Sequence, residues 1–196
     1  LMASQDNLDV TWPFGYNFAW SVDANRLVTS IKLANRMVCR RAGEAVEHAG
    51  MGTTVAAALV QPEQAVVANV GDSRVYRMRS NMLAQLSTDD TMVASLAQQG
   101  LLSSQELNNH PMRNILTQAA GSQEEVDVHL WEDLAETGDR FLLCSDGLYG
   151  VVSDDAIREA LECDDPLEVC ARRLLDAAIQ GGSPDNVAVV LLRYSE

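Results

Sequence analysis

The sequence predicts a single α+β domain, and three observations carry that expectation. The 196 residues are 47% hydrophobic and 21% charged, an ordinary globular composition that supports one sizeable core. Apolar residues recur at three-to-four spacing in some segments and alternate, or run continuously, over short stretches in others. No internal repeat, low-complexity tract or linker divides these segments.

Residues 1–22 hold Trp12, Phe14 and Tyr16 with Pro13 and Gly15 and no clear period, which predicts an irregular lead-in. From Asp23 to about Glu47, Leu27, Ile31, Ala34 and Val38 make one apolar helical face that Gly50 closes. Strands are expected at Thr54 to Val60, Gln64 to Val70 and Arg74 to Arg79. Gln61-Pro62-Glu63 and Gly71-Asp72-Ser73 turn between them, and Ser80-Asn81 leads into a short strand from Leu83 to Leu86. These four read as one antiparallel meander. Thr88 and Asp89 are placed to cap a helix through Gln99, and Ser103 with Glu106 has the capping-box spacing of another. Val126, Val128 and Leu130 alternate as in a half-buried strand, and Arg140 to Cys144 reads as a buried one. Ser153 opens a helix. Asp165, Pro166 and Glu168 have the order of N-cap, N1 proline and N3 acid for the last helix, which Gly181-Gly182 ends before a strand within Asn186 to Tyr194.

The charge is lopsided, with 28 acidic against 14 basic residues and a formal net charge of −14. Nucleic acid and anionic membranes are poor partners for such a surface, because both demand many Lys/Arg contacts to phosphate. Lys32 is the only lysine, so lysine-dependent chemistry has almost nowhere to reside. No stretch has the roughly 18 apolar residues of a membrane span. The first 25 residues carry Asp6, Asp9 and Asp23 without Lys or Arg, unlike a secretory or mitochondrial leader. Cys39, Cys144, Cys163 and Cys170 form no C-x2-C pair, so reduced thiols in a cytoplasm are expected.

Spacing also excludes several chemistries. There is no G-x-x-x-x-G-K-[ST] loop, no cysteine is followed six residues on by arginine, and Ser145 lies in C-S-D-G-L rather than in a G-x-S-x-G elbow. His48, His110 and His129 have no ligand-spaced partner and read as surface or satisfied structural residues. Aspartates at element boundaries remain. Asp146 follows the run Phe141-Leu142-Leu143-Cys144, and Asp185 lies just before the closing strand. If those strands are sheet neighbours, both carboxylates emerge at one end and suit a hard divalent ion. Asp72, at the junction V-G-D-S-R, is a third candidate, although each aspartate alone is equally a turn residue.

Six strings in order then specify a likeness. M-G-T-T-V-A-A-A-L-V at 51–60, V-G-D-S-R-V-Y-R at 70–77, L-S-T-D-D-T at 86–91, R-N-I-L-T-Q-A-A-G at 113–121, G-D-R-F-L-L-C-S-D-G-L at 138–148 and G-G-S-P-D-N-V-A-V-V at 181–190 resemble the metal-dependent, type 2C serine/threonine protein phosphatases. The bacterial stand-alone form is the best likeness. The resemblance implies a four-layer α-β-β-α sandwich with Mg²⁺ or Mn²⁺ at one end, two or three ions in the complete family site. It assigns Asp146 and Asp185 to the first metal, Asp72 with Asp146 to a third, weaker one, and about 92–112 to a mobile flap that affects substrate choice. It further implies hydrolysis of phosphoserine and phosphothreonine in proteins, reversing serine/threonine kinase signalling. Clustered carboxylates of this kind repel, so raised pKa values are expected when no ion is bound.

Two family motifs, an R-x-x-N-E-D-like string and D-G-x-G-G, do not occur in these residues, whose only Asp-Gly is Asp146-Gly147. With Leu1 as first residue, the expectation is one phosphatase domain over 1–196, N-terminally truncated, lacking the first strands and of doubtful activity alone. Its expected partners are phosphoproteins and a cognate kinase, and the complete protein is expected to be monomeric. The alternative is a catalytically inactive pseudo-phosphatase that binds phosphoproteins or acts as a regulatory module.

Overall fold

A computed structural model describes residues 12–102, 106 and 110–195. Helix α1 (Val22–Glu44) begins at Ser21, whose hydroxyl accepts from the Ala24 amide at 3.1 Å. Ala45 then turns extended, and a short 3-10 turn, Val46–His48, follows. The expected single helix to Glu47 is therefore interrupted.

Strands β1 (Val55–Gln61) and β2 (Gln64–Val70) pair antiparallel and β5 (His129–Asp133) joins β2, giving the sheet order β1-β2-β5. Strands β3 (Arg74–Arg79), β4 (Met82–Gln85), β6 (Arg140–Cys144) and β7 (Val189–Arg193) form a second antiparallel sheet, β4-β3-β6-β7. The expected four-strand meander is thus divided: Gly71-Asp72-Ser73 carries the chain from one sheet to the other. The physical reason is burial on both sides. Nearly all of β2 is inaccessible, so each face needs an apolar layer, and a continued meander would supply neither.

Side-chain alternation assigns the layers. Ile31 of α1 packs with Ala68, Val70 and Val126 on the outer face of the first sheet. Ala65, Phe141 and partly buried Trp131 and Leu143 fill the space between the sheets. Tyr76, Met78, Leu142 and Cys144 face Leu148, Ile157, Leu161 and Leu174, contributed by α3 (Asp146–Tyr149), α4 (Asp154–Glu162) and α5 (Leu167–Gln180). The order of layers is the expected α-β-β-α.

Two helix starts differ from expectation for electrostatic reasons. Helix α2 (Met92–Gln98) is capped by Thr91, not Thr88 or Asp89, because the Asp89 carboxylate is engaged by Arg74 and that of Asp90 by Gly71, Gln118 and His129. Helix α5 is preceded by Pro166 in extended conformation. Asp165 makes an ion pair with Arg173 at 2.6 Å instead of capping. Ser103 of the expected capping box lies outside the described residues.

At the end of β3 remote from Asp72, Arg79 clasps Asp139 through Nε at 2.7 Å and Nη2 at 2.6 Å, and also reaches Glu136 and the Leu134 carbonyl. Asp139 is 1% exposed. Burial alone would raise its pKa, but the Arg79 hydrogen bonds, the Glu136 amide and the charges of Arg79 and Arg77 outweigh it and lower the value.

Candidate metal centre

Register places all three candidate aspartates at one end of the second sheet. Arg74 is opposite Cys144 and Cys144 is opposite Val189, so Asp72 just before β3, Asp146 just after β6 and Asp185 before β7 lie at the same edge.

The Asp72 turn is fixed from three sides. Gly71 has φ +94°, and a Cβ there would lie 2.6 Å from Thr54 Cγ2, so both conformation and space require glycine. Thr54 and Ser73 hydroxyls meet at 2.8 Å, and the Tyr149 hydroxyl donates to the Asp72 carbonyl at 2.8 Å. The Arg74 guanidinium stacks 3.7 Å from the Tyr149 ring centre while donating to Asp89 through Nε and Nη2. Burial would lower the Arg74 pKa, but the Asp89 hydrogen bond and charge raise it, and the side chain stays cationic.

Asp72 and Asp146 are brought together. The Asp72 carboxyl is pushed up to about 6, first by burial and then by the negative charge of Asp146. Burial is the larger cause, and the like charge of Asp146 adds to it.

Asp185 lies on a loop stapled to the same corner. Ser145 Oγ donates to the Asn186 carbonyl at 3.1 Å and accepts from the Ala188 amide at 3.0 Å; Ser183 Oγ donates to the Gly147 carbonyl at 2.8 Å. A Cβ on Gly147 would overlap the Asn186 carbonyl. The Asp185 carboxylate itself accepts from the Asn186 amide at 2.7 Å. Among the described residues, no three His, Cys, Asp or Glu side chains converge closely enough to hold an ion. The structure therefore sets Asp72 and Asp146 at one sheet end and Asp185 on the abutting loop, without completing a triad among the described residues. Carboxylates at one sheet end are the kind of oxygen donors that suit a hard divalent cation, which fills its remaining positions with water.

Sequence reasoning passed over a second network. Asp90 Oδ2 accepts from the Gly71 amide at 2.7 Å and from Gln118 Nε2 at 2.8 Å, while Oδ1 meets His129 Nε2 at 2.7 Å. The Asp90 amide returns a bond to the Gly71 carbonyl at 3.0 Å. His129 is thus a satisfied residue, as expected, but its partner braces the turn that carries Asp72. Paired acids at Asp89-Asp90, a few residues past the end of β4, were the available signal. The segment 92–112 is tied at its base: Met92 donates to Ile115 and Thr117 to Asp90, each at 2.8 Å.

Two stacked antiparallel sheets lie between helical layers, with three aspartates at one end of the second sheet, and comparison with known proteins places this architecture in a family. The sequence profile described as Protein phosphatase 2C matches residues 16–180. The chain belongs to the protein phosphatase 2C family. It is 37% identical over 166 residues to the serine/threonine protein phosphatase PstP of Mycobacterium tuberculosis, covering 85% of this chain and 32% of that protein. To the serine/threonine phosphatase stp of Listeria monocytogenes it is 36% identical, covering 83% of this chain and 65% of that protein. It therefore spans about a third of the first relative and just under two thirds of the second. The crystal structure of Stp1 from Staphylococcus aureus superposes with a TM-score of 0.85 at 33% identity, over 93% of this chain and 72% of that one. The catalytic domain of PstP in complex with two manganese ions superposes at 0.79 with 33% identity, over 90% and 73%. No helix among the described residues is long and apolar enough to cross a membrane.

Proposed function

We propose that this chain supplies the aspartate-bearing part of a protein phosphatase that hydrolyses phosphoserine and phosphothreonine using Mg²⁺ or Mn²⁺. The observation that carries the reading is the strand register, which puts Asp72 and Asp146 at the sheet end where the Asp185 loop abuts. Asp146 and Asp185 would hold one ion and Asp72 with Asp146 another. When bound, such ions neutralise phosphoryl oxygens and activate water for attack. The protein's own residues do the positioning. Tyr149 and Asp90 fix the Asp72 turn, Ser145 fixes the Asp185 loop, and Arg74 offsets part of the acidic field. The segment 92–112, beside the turn that Asp90 braces, acts as a flap that influences which phosphoprotein is accepted. A cytoplasmic location, opposition to a serine/threonine kinase and a monomeric complete protein belong to the same proposal.

The test is Mn²⁺-dependent hydrolysis of a phosphothreonine peptide by the full gene product, with Asp146→Ala and Asp185→Ala variants. Loss of at least about a hundredfold in kcat/KM is expected in each, equivalent to roughly 3 kcal/mol of transition-state stabilisation. Activity that persists in both variants, or in excess EDTA, would overturn the mechanism. Phosphopeptide binding with no turnover in the full gene product would favour the pseudo-phosphatase.

A further inference from the structure

The corner between α4 and α5 sits at the opposite end of β6 from Asp146, where Arg140 donates to the Leu161 and Cys163 carbonyls. Two thiols meet there. Cys163 follows the last turn of α4 with extended backbone and is half-buried; Cys170 lies in the first turns of α5 and is fully buried. Both thiols are free, and their sulfur atoms are 2.7 Å apart, in direct contact with nothing between them.

We infer that Cys163 and Cys170 form a reversible intrachain disulfide, a modification site for a two-electron oxidant such as hydrogen peroxide. The surroundings order the steps. Cys170 is enclosed, and its thiol is pushed up to about 11 by burial first and by Cys163 next, with the charges of Arg140 and Arg173 acting the other way. Cys163 is the more accessible sulfur, so it reacts first. Its thiolate attacks one peroxide oxygen, the S–O bond forms as the O–O bond breaks, and hydroxide leaves to be protonated to water. The Cys170 sulfur then attacks the sulfenic sulfur. The S–S bond forms, the S–O bond breaks, and the departing hydroxide takes the Cys170 proton to give a second water. Two thiols lose two electrons and one peroxide becomes two waters.

The other cysteines lack this arrangement. Cys144 is buried, with its thiol pushed up to about 12 by that burial. Cys39 donates to the Gln123 carbonyl at 2.9 Å. Neither has a sulfur neighbour among the described residues. The closed ring would tie the end of α4 to the start of α5 and restrict the unfolded chain.

The test uses the chain as it stands and needs no phosphatase activity. Trypsin cleavage after Arg158 and Arg172 leaves both cysteines in one peptide, 159–172. After limited peroxide treatment and alkylation, that peptide should lose two hydrogens and resist alkylation, and dithiothreitol should reverse the change. Proximity should make it form about tenfold faster than oxidation at Cys39 or Cys144. The melting temperature should rise on the order of 5 °C on oxidation and return on reduction. Cys163→Ser should abolish both changes. Sulfinic or sulfonic acid at Cys163 in the folded protein without a disulfide, or a disulfide to any other cysteine, would overturn the inference.

Discussion

Asp72 and Asp139 show how opposite surroundings give one residue type opposite roles. Asp72 lies at the same sheet end as Asp146, and its raised pKa reflects burial first and that like charge second. Asp72→Asn removes one side of that repulsion, so in EDTA at pH 7 the variant should be more stable than the wild type. A gain of about 1 kcal/mol is expected once solvent screening of a half-buried group is allowed for, read from urea unfolding. In Mn²⁺ calorimetry the same variant should bind the ion more weakly; unchanged binding would remove Asp72 from the ligand set. Asp139 has its folded pKa below the unfolded value, so its contribution is present above the unfolded pKa, near 4. That contribution is lost as pH falls through the lower folded value. Asp139→Asn should cost about 2 kcal/mol at pH 7, with the difference from wild type shrinking below pH 4. A pH-independent difference would show that Arg79 is not what stabilises the carboxylate.

At the scale of elements, the two glycines at the site make different demands. Gly147 is where α3 touches the Asp185 loop, and Gly147→Ala would push its methyl against the Asn186 carbonyl. We expect a stability loss of about 1–3 kcal/mol from such overpacking, together with weakened Mn²⁺ binding because Asp146 and the Asp185 loop are displaced relative to each other. Calorimetry and urea unfolding on one variant separate the two effects. The boundaries of β2, β3 and β6 were legible in the sequence because turn residues flank each run and none of the three contains a proline. What local sequence does not carry is remote partnership. Asp89 looks like a helix cap until Arg74 is near it, and Asp165 looks like a cap until Arg173 is. Asp146 and Asp185 could be paired from the strand ends and Asp72 with Asp146 through the family resemblance, whereas the Asp90 network needed β5 folded back beside β2.

For the whole molecule, the acidic excess leaves most of the surface repulsive to other copies, yet the edges of both sheets interrupt it. Strand β7 is an edge strand among the described residues, with Val190 54% and Leu192 38% exposed. Unpaired edges with apolar side chains template association. Val190→Lys should lower the light scattering of this chain at high concentration without lowering its melting temperature; unchanged scattering would place the association elsewhere. The layer order itself was legible only through the family resemblance, since strand periodicity marks a buried face but not which sheet covers it.

The turn 71–73 belongs to neither sheet and is anchored to both: Gly71 continues β2, and Arg74 begins β3. Asp146, by contrast, rides only on the second sheet. Any slip of one sheet across the other would drag Asp72 relative to Asp146 and change the gap between their carboxylates. The acid pair is thus a gauge of the alignment of the two layers, and an ion bridging it would act as a rivet through the sandwich.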